Sequence, residues 1–399
     1  MISMLASVVV ASVLGQAANG SLDAATRYAI IVSANRSLDS EVEPLTYADD
    51  DAVRYAEVFT LLGTQVWLLA ELDAETAALA RRPGVQPPSR AALLQALTVA
   101  NARMAADRRR GSKPELYFVY SGHGGVDEDG EGYLNLADAR LRRTDILDMV
   151  LRPSQADVNH VIIDACQSYF MVHARGDDDW VDDRVDVDLA SVSDSDAEAE
   201  RLLWSQSGFW LSTSSNRRTH EWEGFHGGVF SHELRSGMLG GADVDGDGVV
   251  RYIELEAYMA AANATVTDAE AKLSPYVRAP KGDGNLVFVV LPQAARRISL
   301  AGSLAGRFHL VDERGIRWAD FHKAAGDDVA ILLPRGLLRL RSGQGEQSLN
   351  GQDSVVLRTL DLVPTMLASR GSLDESFRRQ LYGLAYGKRF YEGFIAARR

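Results

Sequence analysis

A histidine and the only cysteine of the chain are the residues best suited to breaking a bond. Each follows a short apolar run that ends among small residues. The run ELYFVY (115–120) leads into Ser121-Gly122-His123-Gly124-Gly125, and VNHVIID (158–164) leads into Asp164-Ala165-Cys166-Gln167-Ser168. A thiol becomes a strong nucleophile only as the thiolate, and an imidazole within hydrogen-bond reach both takes its proton and stabilises the anion. The resulting imidazolium can then protonate a leaving amine. The chemistry implied is acyl transfer. Gly124 and Gly125 leave room for a substrate backbone, and the N–H groups of Gly124 and Cys166 are candidates for holding an oxyanion. Taken alone, one histidine is commonly structural and one cysteine a small buried hydrophobe. Their shared setting at the ends of apolar runs separates this pair from that plainer reading.

A second group of residues has the spacing of a cation site. Asp243, Asp245 and Asp247 fall at positions 1, 3 and 5 of a twelve-position calcium loop. Gly248 stands at position 6, the carbonyl of Val249 at 7 and Glu254 at 12. A helix over 251–262 follows. Position 9 is Arg251, which cannot relay a water as an acidic residue does. The competing reading is an acidic Asp-Gly turn between two helices. The expected ion is Ca2+, in a structural or regulatory role, with no cofactor needed for the acyl-transfer chemistry itself.

These residues must be held by a scaffold, and its elements alternate. Strand-length apolar runs occur at 27–33, 65–70, 115–120, 158–164 and 208–213. Helical spacing occurs at 48–62, at 90–106 with Ser89 as N-cap, and at 144–151 with Thr144 as cap. Short apolar strands alternating with amphipathic helices predict an α/β fold, a mostly parallel sheet flanked by helices on both faces. In such a sheet the residues just past the carboxyl ends of neighbouring strands share one crevice. His123 and Cys166 meet there if their strands are adjacent.

Composition sets the limits. The chain has 399 residues, 46% of them hydrophobic, with a formal net charge of −13. That charge argues against nucleic-acid binding, which needs clustered Lys and Arg. Met1 to Gly15 is nearly all apolar or small and uncharged, and Met1–Gly20 reads as a signal peptide without its basic region, which predicts a secreted or periplasmic protein, or a cytoplasmic one if the segment is not a signal. The apolar run is short for a membrane span, and no other segment predicts stable membrane insertion. One cysteine excludes an intramolecular disulfide. Residues 25–292 read as the main domain, interrupted by an acidic loop at 176–200 that carries nine Asp and two Glu and reads as a mobile surface loop. Residues 293–368 read as a small β-rich domain, with segments at 307–311, 329–333 and 337–341. Residues 369–399 read as a helical tail.

The pair SGHGG and DACQS, in this order and on these strands, resembles the caspases, metacaspases and their bacterial relatives. RYAIIVSAN followed by Leu45-Thr-Tyr-Ala-Asp-Asp-Asp51-Ala52 is similar to the start of that fold, and Gly227-Gly228-Val229-Phe230 is similar to the helix start of its second half. The resemblance covers about residues 27 to 292. It implies a caspase-like fold and a cysteine endopeptidase with His123 and Cys166 as dyad, acting on protein or peptide substrates. Asp164, two before the nucleophile as in metacaspases, and Asp51 then imply a pocket for Arg or Lys at the P1 position. Glu221 and Glu223 are further candidates for that pocket. Self-processing in the acidic loop would use Arg175, Arg184 or Arg201. Tyr169-Phe170 stands where relatives often have glycine, which bears on the neighbouring pocket. The rival readings are a catalytically inactive caspase-like scaffold, a calcium-binding secreted interaction protein, and another Cys-His hydrolase. Oligomeric state is not encoded in any of these features.

Overall fold

The computed structural model describes residues 25–80, 84–173, 202–214, 219–343, 345–349, 354–359 and 372–398. Met1–Gly20 and the acidic loop 176–200, with Arg175, Arg184 and Arg201, lie outside the described residues.

The centre is a six-stranded sheet. Its strands are β1 Arg27–Ala34, β2 Gln65–Ala70, β3 Glu115–Gly122, β4 Val158–Asp164, β5 Ser207–Leu211 and β6 Tyr276–Arg278, in the order β6-β5-β4-β3-β1-β2. All neighbours are parallel except β6, which runs antiparallel to β5 at one edge. Within β1, residues 28–32 form an unbroken apolar run because both faces of the strand are covered, as parallel strands require. Its Ala29 and Ile31 join one hydrophobic cluster, and Tyr28, Ile30 and Val32 join another. The first cluster is closed by helix α1 (Ala48–Leu61), α3 (Val229–Ser236) and α4 (Tyr252–Asn263). The second is closed by α2 (Arg90–Arg109) and the short helical segment Ile146–Leu151.

The two caps expected from sequence fare differently. Ser89 accepts the Ala92 N–H at 3.2 Å and starts α2 as its spacing predicts, a cap worth about 1 kcal/mol. Thr144 does not cap. The turn begins two residues earlier, at Arg142, where Asp145 Oδ2 accepts the Arg142 N–H at 2.9 Å. Thr144 instead donates its own N–H to Glu131 Oε1 at 2.9 Å. Two carboxylates, Asp145 from within the turn and Glu131 from outside it, serve the N–H groups at this start.

Past residue 292 the chain forms a sandwich of two small sheets. One contains Arg297–Leu300, Val329–Leu332 and Ser354–Leu357, and the other Gly306–Asp312, Arg317–Lys323, Leu338–Ser342 and Gly345–Ser348. The tail resolves into two helices, α5 (Ser372–Gln380) and α6 (Lys388–Ala397). The interior of this sandwich is continuous with the first cluster of the main sheet: Ile298, Leu310, Phe321 and Leu340 belong to the same buried set as Phe59, Met238 and Tyr258.

Candidate active site

β3 and β4 are neighbours with Ser121 opposite Asp164. His123 and Cys166 each come two residues after that matched pair, so the topology sets them level at the carboxyl end of the sheet. Their backbones close on each other. A Cβ at Gly124 would stand 2.7 Å from the Cys166 carbonyl oxygen and 2.9 Å from Ala165 Cβ, so only glycine permits the approach.

The cysteine loop is pinned from the next strand. Ser212, just past β5, accepts the Ala165 N–H at 3.1 Å and donates to the Ala165 carbonyl at 3.0 Å. Ser168 Oγ accepts the Thr213 N–H at 3.1 Å and lies 3.0 Å from Thr213 Oγ1. Gln167, directly after the cysteine, takes a left-handed conformation (φ 57°). A non-glycine residue there costs about 1 kcal/mol, and the buried serine and threonine bonds hold it.

The His123 ring is half-buried, and burial pulls its pKa below the usual histidine value, against backbone hydrogen bonding at Asn35 and Glu43. Its Nε2 is buried with no hydrogen-bond partner among the described residues. Tyr120 fixes the backbone by donating its hydroxyl to the His123 carbonyl at 2.8 Å. A neutral imidazole with an uncommitted nitrogen has the protonation state a general base requires.

Beside this pair lies a group of carboxylates. Asp164 is 4% exposed. Its Oδ1 accepts the Thr219 hydroxyl at 2.8 Å, and its Oδ2 accepts both the Ser231 hydroxyl (2.7 Å) and the Ser231 N–H (3.2 Å). Burial, and then the nearby charge of Asp51, push its pKa up to about 6. Asp51 Oδ2 accepts the Gly228 N–H at 2.7 Å, and its Oδ1 pairs with Arg235 at 2.8 Å. Gly228 sits between the two aspartates, and a Cβ there would collide with Asp164 Oδ2. Glu221 belongs to the same field. Its carboxylate accepts the Thr46 and Tyr47 N–H groups at 2.9 and 2.8 Å, and burial foremost, with Asp51 and Asp164 contributing, raises its pKa. Glu223 is exposed and acts on Tyr47, whose pKa it helps to raise after burial. Of the three consecutive acids, Asp49 instead binds Asn35 Nδ2 at 2.7 Å and the Asp73 N–H at 2.9 Å, and Asp50 pairs with Arg54 at 3.1 Å. The sequence therefore located Asp164 and Asp51 together but missed Ser231, Thr219, Ser212, Thr213 and Arg235. The polar end of GFWLST, beside the cysteine strand, was the one available hint.

The acidic turn is a separate group of contacts. Asp243, Asp245 and Asp247 each offer an oxygen within 4.8 Å of the others. Gly246 and Gly248 have φ of 76° and 83°, and Asp243 accepts the N–H groups of both, at 2.9 and 3.1 Å. Glu254 is turned to the Arg251 N–H at 2.8 Å, starting α4. The Arg251 guanidinium lies 2.5 Å from Asp247, 3.4 Å from Glu254 and 3.8 Å from Asp245. Val249 begins a short strand, Val249–Arg251, that pairs with Val287–Val290.

A family model described as the caspase domain matches residues 26–281. Similar solved structures include caspase-1 from Spodoptera frugiperda, at 12% identity over 64% of this chain and 86% of that one, with a TM-score of 0.37. Another is protein GSU0716 from Geobacter sulfurreducens, at 16% identity over 67% of this chain and 100% of that one, with a TM-score of 0.38. No curated protein matches the chain.

Proposed function

The chain belongs to the caspase-domain peptidase family, and from that premise we propose that it is a cysteine endopeptidase in which Cys166 attacks the scissile carbonyl and His123 is its base. The observation that carries this is the level placement of His123 and Cys166 past neighbouring parallel strands, with Gly124 packed on the cysteine carbonyl. His123 takes the thiol proton, the thiolate adds to the carbonyl, and the N–H groups of Gly124 and Cys166 hold the oxyanion. The imidazolium returns the proton to the amine as it leaves, and water then releases the acyl group by the same base.

The substrate reading is cleavage after Arg or Lys. Asp164 supplies the carboxylate, with Glu221 adding negative field. Asp51 shapes the pocket wall through Gly228, its own charge being matched by Arg235. A guanidinium entering this field would gain charge-assisted hydrogen bonds. The experiment is a peptide library cleaved by wild type and by Cys166→Ala. Cleavage after Arg or Lys that is lost in the variant supports the reading, and cleavage only after Asp refutes the pocket assignment.

Three further readings belong to the same proposal. Calcium would bind at Asp243, Asp245, Asp247, the Val249 carbonyl and Glu254, once Glu254 and Arg251 turn from their mutual contact. The chain would cut itself in its acidic loop. Met1–Gly20 would direct export.

A further inference from the structure

The hairpin formed by Glu221–Trp222 and Gly227–Gly228 is gripped from two sides. On the catalytic side Asp51 holds the Gly228 N–H, Glu221 caps the start of α1, and Arg54 donates to the Phe225 carbonyl at 3.0 Å. The other side belongs to the chain beyond residue 292. The Trp222 indole N–H donates to Asp374 Oδ1 of α5 at 2.9 Å, and its ring lies 5.5 Å from that of Phe377. The Arg317 guanidinium lies 5.4 Å from the Trp222 ring centre and 5.6 Å from that of Phe225. Arg317 is fixed in turn by Asp320 at 3.0 Å, which also takes His232 Nε2 at 2.8 Å, and His232 stacks on Phe225 at 3.7 Å. α5 is itself tied down: Gln380 accepts from the Thr267 N–H at 2.8 Å and from the Thr265 hydroxyl at 2.5 Å.

We propose that the C-terminal sandwich and α5 clamp the hairpin that walls the P1 pocket, with Arg317 and Asp374 as positioning residues for substrate binding. The inference rests on the peptidase reading above. A two-residue ladder carrying Gly224, Gly227 and Gly228 has little rigidity of its own. Its geometry must come from what touches it. Neither Arg317 nor Asp374 reaches the dyad through any contact described, so loosening them should blur the pocket while the thiol keeps its chemistry.

The test compares wild type, Arg317→Ala/Asp374→Ala and Asp374→Asn. Three readouts are taken: kinetics on a fluorogenic peptide with Arg at P1, the rate of Cys166 alkylation by iodoacetamide, and hydrogen exchange of the 219–228 amides. We expect the double variant to raise KM about tenfold, the scale of one lost hydrogen bond to a charged group. kcat and alkylation should stay within about twofold, and hairpin exchange should accelerate. Asp374→Asn, with Arg317 intact, keeps an acceptor for Trp222 and should hold KM and hairpin exchange close to wild type. Unchanged KM with unchanged exchange overturns the clamp. So does a parallel fall in kcat and alkylation, which marks a general loss of structure. If wild type cleaves no peptide at all, the peptidase reading fails, while hairpin exchange still decides whether the clamp exists.

Discussion

Asp164 carries the most consequence of any single side chain beyond the dyad, because burial brings its ionisation towards neutrality. Its pKa, pushed up to about 6 by burial and by Asp51, lies above the ordinary carboxyl value. A raised carboxyl holds its proton longer in the folded state. Folding stability from this group is therefore lost as pH rises from about 4 towards 6, while its negative charge appears in the folded protein around pH 6. Cleavage after Arg should rise steeply with pH through 6, more steeply than cleavage of a peptide with a neutral P1 residue, which reports only deprotonation of His123. Asp164→Asn should make the two profiles parallel and cost the Arg substrate about 10- to 100-fold in kcat/KM. Parallel profiles in the wild type would dismiss Asp164 as the P1 carboxylate. Cys166→Ala and His123→Ala should each remove peptidase activity by several orders of magnitude and leave circular dichroism and Tm close to wild type, since both follow the strands and neither fills the sheet. Persistent turnover by Cys166→Ala would end the mechanism. These two residues were legible in the sequence because each sits where an apolar run stops among small neighbours. Ser231 and Thr219 were not. They are common residue types more than fifty positions from Asp164, and only the tertiary fold brings them to it, Ser231 on α3 and Thr219 from the segment before the 221–228 hairpin.

At the scale of elements, strands and helices followed from apolar spacing and from caps such as Ser89, whereas Thr144 was misjudged because Asp145 starts that turn two residues earlier, at Arg142. The acidic turn shows the same limit. Its aspartates lie together as the spacing demands, yet Glu254 faces Arg251, and that guanidinium already neutralises much of the cluster. Millimolar calcium should raise the Tm of wild type by mass action on the native state, and Asp243→Ala should erase that rise. Arg251→Gln should bind calcium more tightly while melting lower in chelator, because it removes the resident cation. A wild-type Tm indifferent to calcium and chelator would reduce the loop to a turn.

For the molecule as a whole, the order of the sheet explains how residues 43 positions apart in sequence come level, and that much followed from an alternating pattern of strands and helices. The sequence did not reveal how intimately residues beyond 292 join the rest, since β-rich segments give no hint of what their outer faces touch. Self-processing is a question at this scale. Wild type and Cys166→Ala, purified side by side and weighed by mass spectrometry, should differ by cuts after Arg175, Arg184 or Arg201 that are confined to wild type; an intact wild-type chain that still cleaves peptides would show that maturation does not require them. The continuous buried cluster that runs from Phe59 through Met238 and Tyr258 to Ile298 and Leu340 has its own consequence. Gly240 meets the Ala330 carbonyl so closely that a Cβ would collide with it, so the two halves interlock in backbone as well as side chains. A calorimeter should record one endotherm for the whole chain, and trimming after Pro292 should yield insoluble protein, its cut face exposing Met238 and Leu239. A C-terminal segment moulded in this way cannot be traded among proteins as an independent cassette, and substitutions on either side of the seam would have to be inherited together.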